Sequence, residues 1–363
     1  LPDPSSIIEQ FSAQIRTATA NKSPLRLRGG GSKDWYGQGL DGTVLDTRAF
    51  AGIVDYEPTE LVITARCGTP LAEIEAALAE RRQMLAFEPP YFEKAGQATL
   101  GGVVASGLSG PRRANAGAVR DFVLGAKLID GAGDRLVFGG QVMKNVAGYD
   151  VSRLLAGSLG TLGLILEVSL KVLPLPVAET SLRFAAGEIA ALTWLNEWGG
   201  LPLPLSASCW CDGALTVRLS GADAAVRAAR LKLGGEQLGE AEAAAFWRGL
   251  REQEHVFFDG THDLWRLSLP PAASAVILGG EQLIEWDGAQ RWLKIETEAG
   301  AAMSTAAAIR RTVAAAGGHA TLFRGGDKQV GVFHPLAPAV ARIHQRLKLA
   351  FDPSAIFNPG RMY

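Results

Sequence analysis

The chain has 363 residues, 47% of them apolar, and its 43 glycines make up about 12% of the total against a usual ~7%. That apolar content excludes a disordered chain, and the glycines lack the period of three that collagen needs. Thirty-six basic residues against 37 acidic ones leave a net charge of −1, which argues against a nucleic-acid-binding face. At this length two domains are the natural division.

In chain order, Ile7, Ile8, Phe11 and Ile15 fall at helical spacing, with Ser5 or Ser6 as the expected cap. Leu25–Arg28 alternates as a short strand and runs into Gly29-Gly30-Gly31-Ser32-Lys33. Short strands are predicted at Val44–Thr47, Gly52–Tyr56 and Leu61–Arg66. Thr69-Pro70 predicts a helix start with Thr69 as the cap, and Leu71, Ile74, Leu78 and Leu85 form its apolar stripe. A second glycine block spans Thr99–Gly107. Strands follow at Val123–Ile129 and Arg135–Phe138, then a short helix at Val151–Ala156 and a strand at Leu164–Leu173. Pro174 and Pro176 read as a strand stop and a linker.

Beyond the linker, strands are predicted at Thr180–Phe184, Leu215–Leu219, Leu264–Leu269 and Val330–Phe333. Helices are predicted at Ala222–Leu233, Ala241–Glu252, Ser304–Ala316 and Val340–Ala350. The sequence shows no internal repeat. Seven of the eight tryptophans follow residue 175. The whole reads as α+β.

Motif searches are mostly negative. Gly37-Gln38-Gly39-Leu40-Asp41-Gly42 has the letters of a dinucleotide fingerprint, but a strand is predicted after it where that reading needs a helix. No P-loop, zinc-protease or serine-hydrolase elbow pattern occurs. Cys67, Cys209 and Cys211 are too few for a disulfide scaffold and point to a reducing compartment; Cys209 and Cys211 read as strand residues, and no metal site is expected. The apolar stretch Leu162–Leu175 falls short of the ~18–20 residues of a span. No secretory leader is visible, in a chain that opens on Leu1 rather than Met. All five histidines lie after residue 254, so histidine chemistry is excluded from the glycine-rich half.

The two glycine clusters allow main-chain N–H groups to converge on an anion without a Cβ in the way. A diphosphate held between Gly29–Ser32 and Thr99–Gly107 needs no basic patch. The competing reading is a pair of tight turns.

Several strings together resemble the FAD-binding domain of the vanillyl-alcohol oxidase / p-cresol methylhydroxylase (PCMH) superfamily. They are Arg28-Gly29-Gly30-Gly31-Ser32, Thr99-Leu100-Gly101-Gly102, Lys144-Asn145 with Gly148-Tyr149-Asp150, and Gly157-Ser158 with Gly160-Thr161-Leu162-Gly163. The ending Phe351-Asp352-Pro353 to Phe357-Asn358-Pro359-Gly360-Arg361 is similar to that superfamily's closing segment. More narrowly, Gly110-Pro111-Arg112-Arg113, Val119–Gly125, Phe138-Gly139-Gly140 with Val142–Asn145, and Gly288–Trp292 resemble an FAD-subunit family of bacterial glycolate oxidase (glycolate dehydrogenase).

The resemblance implies a two-subdomain PCMH-type FAD-binding domain at 1–175, an α+β cap domain with antiparallel sheet at 176–335, and a segment, 336–363, returning to the FAD domain. It implies non-covalent FAD held by Arg28, Gly29, Gly30, Gly31, Ser32, Thr99, Gly101, Gly102, Ala105, Gly107, Arg112, Arg120, Lys144, Asn145, Gly148, Tyr149, Gly160, Thr161 and Gly163. For Arg112 and Arg120 the alternative is a surface ion pair. In the resembled superfamily many members read Gly-Ser-Glu-Gly-Thr-Leu-Gly here, and this chain departs from them with Leu159.

A 2-hydroxy-acid oxidase also needs a cation for the carboxylate and a base for the hydroxyl. Arg324 with His319 or His334 is the candidate set; the alternative is that they sit in an interface or a satisfied core. The implied activity is glycolate oxidation to glyoxylate within a complex with an FAD-containing D-type subunit and an iron–sulfur F-type subunit, passing electrons to an acceptor other than NAD. This chain lacks the cysteines to be the iron–sulfur member. A self-sufficient flavin oxidase and a non-catalytic scaffold are the other readings. The expected location is the cytoplasm, at the membrane's inner face only through the complex.

Overall fold

The computed structural model describes residues 3–92, 97–140 and 150–362. The chain divides into two compact units: Leu1–Leu108, Ala118–Pro174 and Pro335–Tyr363 form the first, and Ser109–Gly117 with Leu175–His334 the second.

The first unit opens on helix Pro4–Asn21, capped by Asp3, whose Oδ1 accepts from the Ser5 N–H at 3.3 Å. The cap is therefore Asp3, with Pro4 starting the helix, rather than Ser5 or Ser6. Ile7, Phe11, Ile15 and Ala18 are its buried stripe. Strand Leu25–Arg28 pairs in parallel with Thr43–Asp46, so the fingerprint-like glycines at 37–42 are followed by a strand, as predicted. The chain end returns here: the Leu25 N–H donates to Ile356 and the Asn358 N–H to Leu25.

A five-stranded antiparallel sheet forms the rest, in the order Ile53–Glu57, Val62–Arg66, Leu164–Lys171, Val123–Ile129, Arg135–Gly139. The central strand, Leu164–Lys171, is buried at six of its eight positions, as a strand covered on both faces must be. Helix Leu71–Glu80 buries Leu71, Ile74 and Leu78, but Thr69 does not cap it. Pro70 occupies the cap position, while the Thr69 hydroxyl accepts from the Gly52 N–H at 2.9 Å.

The second glycine block is not a turn. Leu100–Ser106 is a short helix closed by Gly107 in the left-handed region at φ 66°. Glycine disfavours helix by about 1 kcal/mol per residue, yet Gly101 is required: a Cβ there would lie 2.8 Å from the Cys67 Cβ.

The second unit is built on an eight-stranded antiparallel sheet in the order Glu236–Gln237, Ala178–Ala185, Ala214–Gly221, Leu205–Cys211, Glu281–Glu285, Gln290–Ile295, Asp263–Ser268, His319–Arg324. Its first four strands, with helices Glu188–Gly199 and Asp223–Leu233, make a β-α-β-β-α-β unit of ferredoxin-like order. The last four repeat that order in mirror sequence along the sheet, keeping helix Ala302–Ala315 and replacing the other helix by the loop after Ser268. The two halves meet where Leu205–Cys211 pairs with Glu281–Glu285. The sequence reading found no repeat because the likeness lies in strand order, not in residue period.

Arg291, fully buried, holds the replacement loop by donating to the carbonyls of Ala273 and Ser274, and donates also to that of nearby Gly288. Cys209 and Cys211 lie on a strand, as read. The strand predicted at Val330–Phe333 is absent: Lys328–Val330 forms one 3-10 turn closed by Gly331 at φ 78°. Trp247, Trp265, Trp286 and Trp292 are core residues. The segment Ser109–Gly117, within the first domain by sequence, packs in the second unit: Trp286 Nε1 donates to the Gly110 carbonyl at 3.1 Å, and Arg113 lies 4.4 Å from the Trp286 ring.

Candidate cofactor site

Two adjoining cavities of about 90 and 70 Å³ lie in the first unit, sharing Leu27, Arg28, Gly29, Gly102, Ala105, Leu159 and Asn358 as walls. The larger is also lined by Gly30, Gly31, Ser32 and Thr99, the smaller by Gly101, Gly160 and Gly163. The two glycine clusters are therefore opposite walls of one cleft.

Their closeness explains the glycines. A Cβ on Gly30 would lie 1.4 Å from the Gln97 carbonyl oxygen, and one on Gly29 2.2 Å from Thr99 Oγ1. Neither contact leaves room for a side chain, so Gly29 and Gly30 are fixed by loop-to-loop packing before any ligand is considered.

The later carbonyls of the first loop are used: Gly31 accepts from the Asp34 N–H, Ser32 from Trp35 Nε1, and Lys33 and Asp34 from the Arg361 guanidinium at 3.2 and 3.0 Å. The N–H groups of Gly29, Gly30, Gly31 and Ser32 have no acceptor among the described residues. Thr99 Oγ1, opposite them, is buried and has no partner. Gly29–Gly31 are half-buried and Ser32 and Thr99 buried; a fully buried polar group left in this state costs about 1–3 kcal/mol unless something polar fills the space. Successive main-chain donors beside an unpaired hydroxyl suit a diphosphate.

The walls are held by the chain end. Asn358 Oδ1 accepts from the Leu27 N–H at 2.9 Å, and its Nδ2 donates to the Leu159 carbonyl at 2.7 Å. Leu159 is itself left-handed at φ 50°, pinned by its N–H to the Ala105 carbonyl at 2.8 Å. The cleft thus has an apolar side chain at this point, its backbone bond to Ala105 in place. Arg361 is buried, which lowers its pKa to about 10 despite the nearby Asp34 carboxylate. Behind this wall Lys348 Nζ donates to the carbonyls of Thr161 and Phe357 and to Asp352 Oδ2, at 2.7, 2.9 and 2.6 Å. Burial outweighs Asp352 and lowers the Lys348 pKa. Cys67 lines the smaller cavity, its thiol pushed up to about 12 by burial.

The remaining expected cofactor residues divide. Thr161 stands behind the wall, its hydroxyl donating to the Ser158 carbonyl at 2.7 Å. Gly107 closes the short helix; a Cβ there would lie 2.7 Å from the Gly157 Cα. Arg28 lines both cavities and pairs with Asp34 at 2.9 Å. Arg112 belongs to the second unit, where it pairs with Glu179 at 2.7 Å and donates to Ser220 Oγ at 3.1 Å. Arg120 is exposed, 3.9 Å from Asp121. Lys144, Asn145, Gly148 and Tyr149 lie outside the described residues. Asn358 and Arg361 are wall residues that sequence reasoning does not place here. Their signal was the turn string Asn358-Pro359-Gly360-Arg361, whose distance in sequence hid its place.

The expected catalytic set is not assembled as one group. His319 and Arg324 stand at the two ends of one strand, about 17 Å apart at the usual strand rise. Arg324 donates to Gln253 Oε1, and His334 Nδ1 accepts from the Ala320 N–H at 3.3 Å. Burial first, then Arg266 and His334, lowers the His319 pKa; burial and then Arg310 lower that of His334.

A glycine-walled cleft with unpaired main-chain donors, set between a parallel strand pair and an antiparallel sheet, defines the class: a PCMH-type FAD-binding fold. Residues 6–139 match the FAD binding domain family. The chain belongs to the family of glycolate oxidase subunit GlcE. It is 51% identical over 350 residues to that subunit of Escherichia coli (strain K12), covering 96% of this chain and 95% of the relative. It is 31% identical to the D-lactate dehydrogenase of Archaeoglobus fulgidus over 46% of this chain and 37% of the relative, and 31% identical to glycolate oxidase subunit GlcD of Bacillus subtilis over 39% and 29%. The solved structure of an alkyldihydroxyacetonephosphate synthase shares the fold, with a TM-score of 0.66 at 16% identity over 97% of this chain and 75% of that one. Among the described residues no helix is long and apolar enough to cross a membrane.

Proposed function

We propose that this chain is an FAD-holding subunit of a glycolate oxidase complex, in which glycolate is oxidised to glyoxylate and the electrons leave through an iron–sulfur subunit to an acceptor other than NAD. The observation that carries the reading is the row of four unpaired N–H groups at Gly29–Ser32 facing the unpaired Thr99 hydroxyl, in a chain so close to a GlcE subunit over its length.

The residues present fit the cofactor. Gly29–Ser32 and Thr99 would hold the diphosphate. Gly101, Gly102, Ala105, Gly160 and Gly163 would let the dinucleotide approach the backbone, and Asn358 and Arg361 would fix the loops that do so. When bound, FAD supplies a two-electron acceptor. The chain's own contribution is to bind it without a tether: Cys67, the one cysteine lining the cleft among the described residues, is a buried, protonated thiol. The second unit is read as the cap.

The separation of His319 from Arg324 supports placing alcohol oxidation on the D-type partner, because a single substrate of two carbons cannot span them. The test is the visible spectrum of the isolated chain before and after glycolate, repeated with D-type and F-type subunits co-expressed. A flavin spectrum unchanged by glycolate alone and bleached in the complex is the expected result. Bleaching of the isolated chain would instead establish a self-sufficient oxidase, and a colourless folded chain a scaffold.

A further inference from the structure

The larger cavity of the cofactor cleft is charged in a way the whole chain is not. Its walls carry Arg28, Lys33 and Arg361 against the single carboxylate of Asp34, an excess of two positive charges in a chain of net charge −1. Two of these cations hold the walls. Arg28 Nε donates to Asp34 Oδ2 at 2.9 Å, and buried Arg361 donates to the carbonyls of Lys33 and Asp34. Asp34 also pairs with Arg26, so its one carboxylate serves two arginines. Lys33 is fixed by different groups. Its Nζ donates to Ser32 Oγ at 3.2 Å, reaches the Tyr91 carbonyl at 3.5 Å and lies 5.5 Å from the centre of the Phe92 ring. That segment is itself anchored. The Tyr91 hydroxyl donates to Glu75 Oε2 on helix Leu71–Glu80 at 2.6 Å, and the Phe92 ring meets Trp35 edge-on with centroids 5.4 Å apart. Lys33 is half-buried, and its ammonium stands beside Ser32, whose N–H ends the row of unpaired donors. A charge in such a recess is screened less than one on open surface, and it adds to the field of the main-chain dipoles.

We propose that Lys33 is the charged contact of the diphosphate, and that it makes the cleft select ligands carrying a diphosphate, a dinucleotide or a nucleoside diphosphate, over ligands that lack one. The proposal rests on the reading of this cleft as the cofactor site. The residue type suits the task. A lysine is a compact charge on a flexible stem, and it can turn from Ser32 Oγ to a phosphate oxygen without moving the loop. Arg28 and Arg361 would have to leave the bonds that hold the walls. Charge matching selects the class of ligand. The doubly charged linker of a dinucleotide meets the excess of positive charge in the cavity, whereas a neutral flavin or nucleoside leaves it unanswered.

The test uses the full chain with its flavin and follows FAD release by flavin fluorescence, on dilution at low and at high salt and on addition of ADP. The wild-type chain should hold FAD more tightly at low salt, and ADP should displace it. Lys33→Met keeps an apolar stem and removes the charge. It should raise the FAD dissociation constant about tenfold at low salt, because a hydrogen bond between charged groups is lost. It should also flatten the salt dependence and raise the ADP dissociation constant by the same factor. The melting midpoint of the flavin-free variant should match that of flavin-free wild type, which separates lost binding from lost folding. Wild-type FAD affinity and salt dependence in Lys33→Met would overturn the assignment and leave the cofactor site standing. A loss of affinity that keeps the wild-type salt dependence would reduce Lys33 to shaping the loop, and overturns it equally. Failure of ADP to displace FAD from the wild-type chain would overturn the selection of diphosphates. A wild-type chain that neither carries FAD nor takes it up would bring down the cofactor reading itself, and this assignment with it.

Discussion

The first unit leaves a run of main-chain donors unused at one cleft, whereas the second spends its largest fully buried side chain, Arg291, on its own backbone. At Gly29–Ser32 four N–H groups, and across from them the Thr99 hydroxyl, line a cleft and have no hydrogen-bond partner among the described residues. In the second unit Arg291 is spent on three carbonyls, and Glu285 accepts from Gln290 and Trp292 at 3.1 and 2.6 Å. Four of the five histidines and seven of the eight tryptophans also lie there. A run of unsatisfied donors is tolerated where a ligand completes it. Flavin absorbance therefore reports on one unit and tryptophan emission mainly on the other, so the contrast can be broken experimentally.

The largest effect should come from Gly30→Ala. Its Cβ has no place to go against the Gln97 carbonyl, so the loops must part. Purified protein should lose essentially all absorbance near ~450 nm while its tryptophan emission spectrum stays native. A yellow variant would show that the loops are not locked together.

Next is Asp352→Ala, which strips a fully buried carboxylate from Lys348. Breaking a buried pair costs about 3–5 kcal/mol, and chemical denaturation followed by flavin release should show a loss of that order. A loss below ~1 kcal/mol would mean the Thr161 and Phe357 carbonyls alone hold the lysine.

Thr99→Val keeps the shape and removes the unpaired hydroxyl. Flavin affinity should fall about tenfold with the melting midpoint of the apoprotein unchanged, since one hydrogen bond to a charged group contributes roughly 1.5–3 kcal/mol. Titration of apoprotein with FAD measures it, and unchanged affinity would place the diphosphate elsewhere.

The smallest effect separates the units by pH. His255, His319 and His334, all in the second unit, have pKa values below the ordinary 6.5, burial being the first cause in each. Below pH 6.5 the unfolded chain binds protons that the folded chain resists, so stability falls as pH drops below 6.5 and levels off beneath the folded values. Tryptophan-monitored melting should lose a few degrees between pH 7 and 5.5, with flavin release less affected. Equal sensitivity of both probes would mean the units melt as one.

Much of the first unit was legible. The strand Leu25–Arg28, the rejected fingerprint at 37–42 and the two glycine clusters as bare backbone all follow from local rules: alternation, the need for a helix after a nucleotide-binding turn, and the freedom of a residue without a Cβ. Thr99–Gly107 was legible as a wall but not as a helix, because Gly101 is excused from its poor propensity only by the nearness of Cys67. In the second unit the ferredoxin-like doubling escaped notice, since strand order leaves no mark on residue period.

By itself, then, the sequence determined which segments can run as strand or helix and where bare backbone can meet an anion, because those are short-range consequences of side-chain size and branching. Only tertiary structure decided that Asn358 and Arg361 close a cleft opened more than 300 residues earlier, that Ser109–Gly117 joins the second unit, and that His319 and Arg324 stand apart. Those outcomes depend on which distant surfaces bury each other, and no local window of the chain contains both partners.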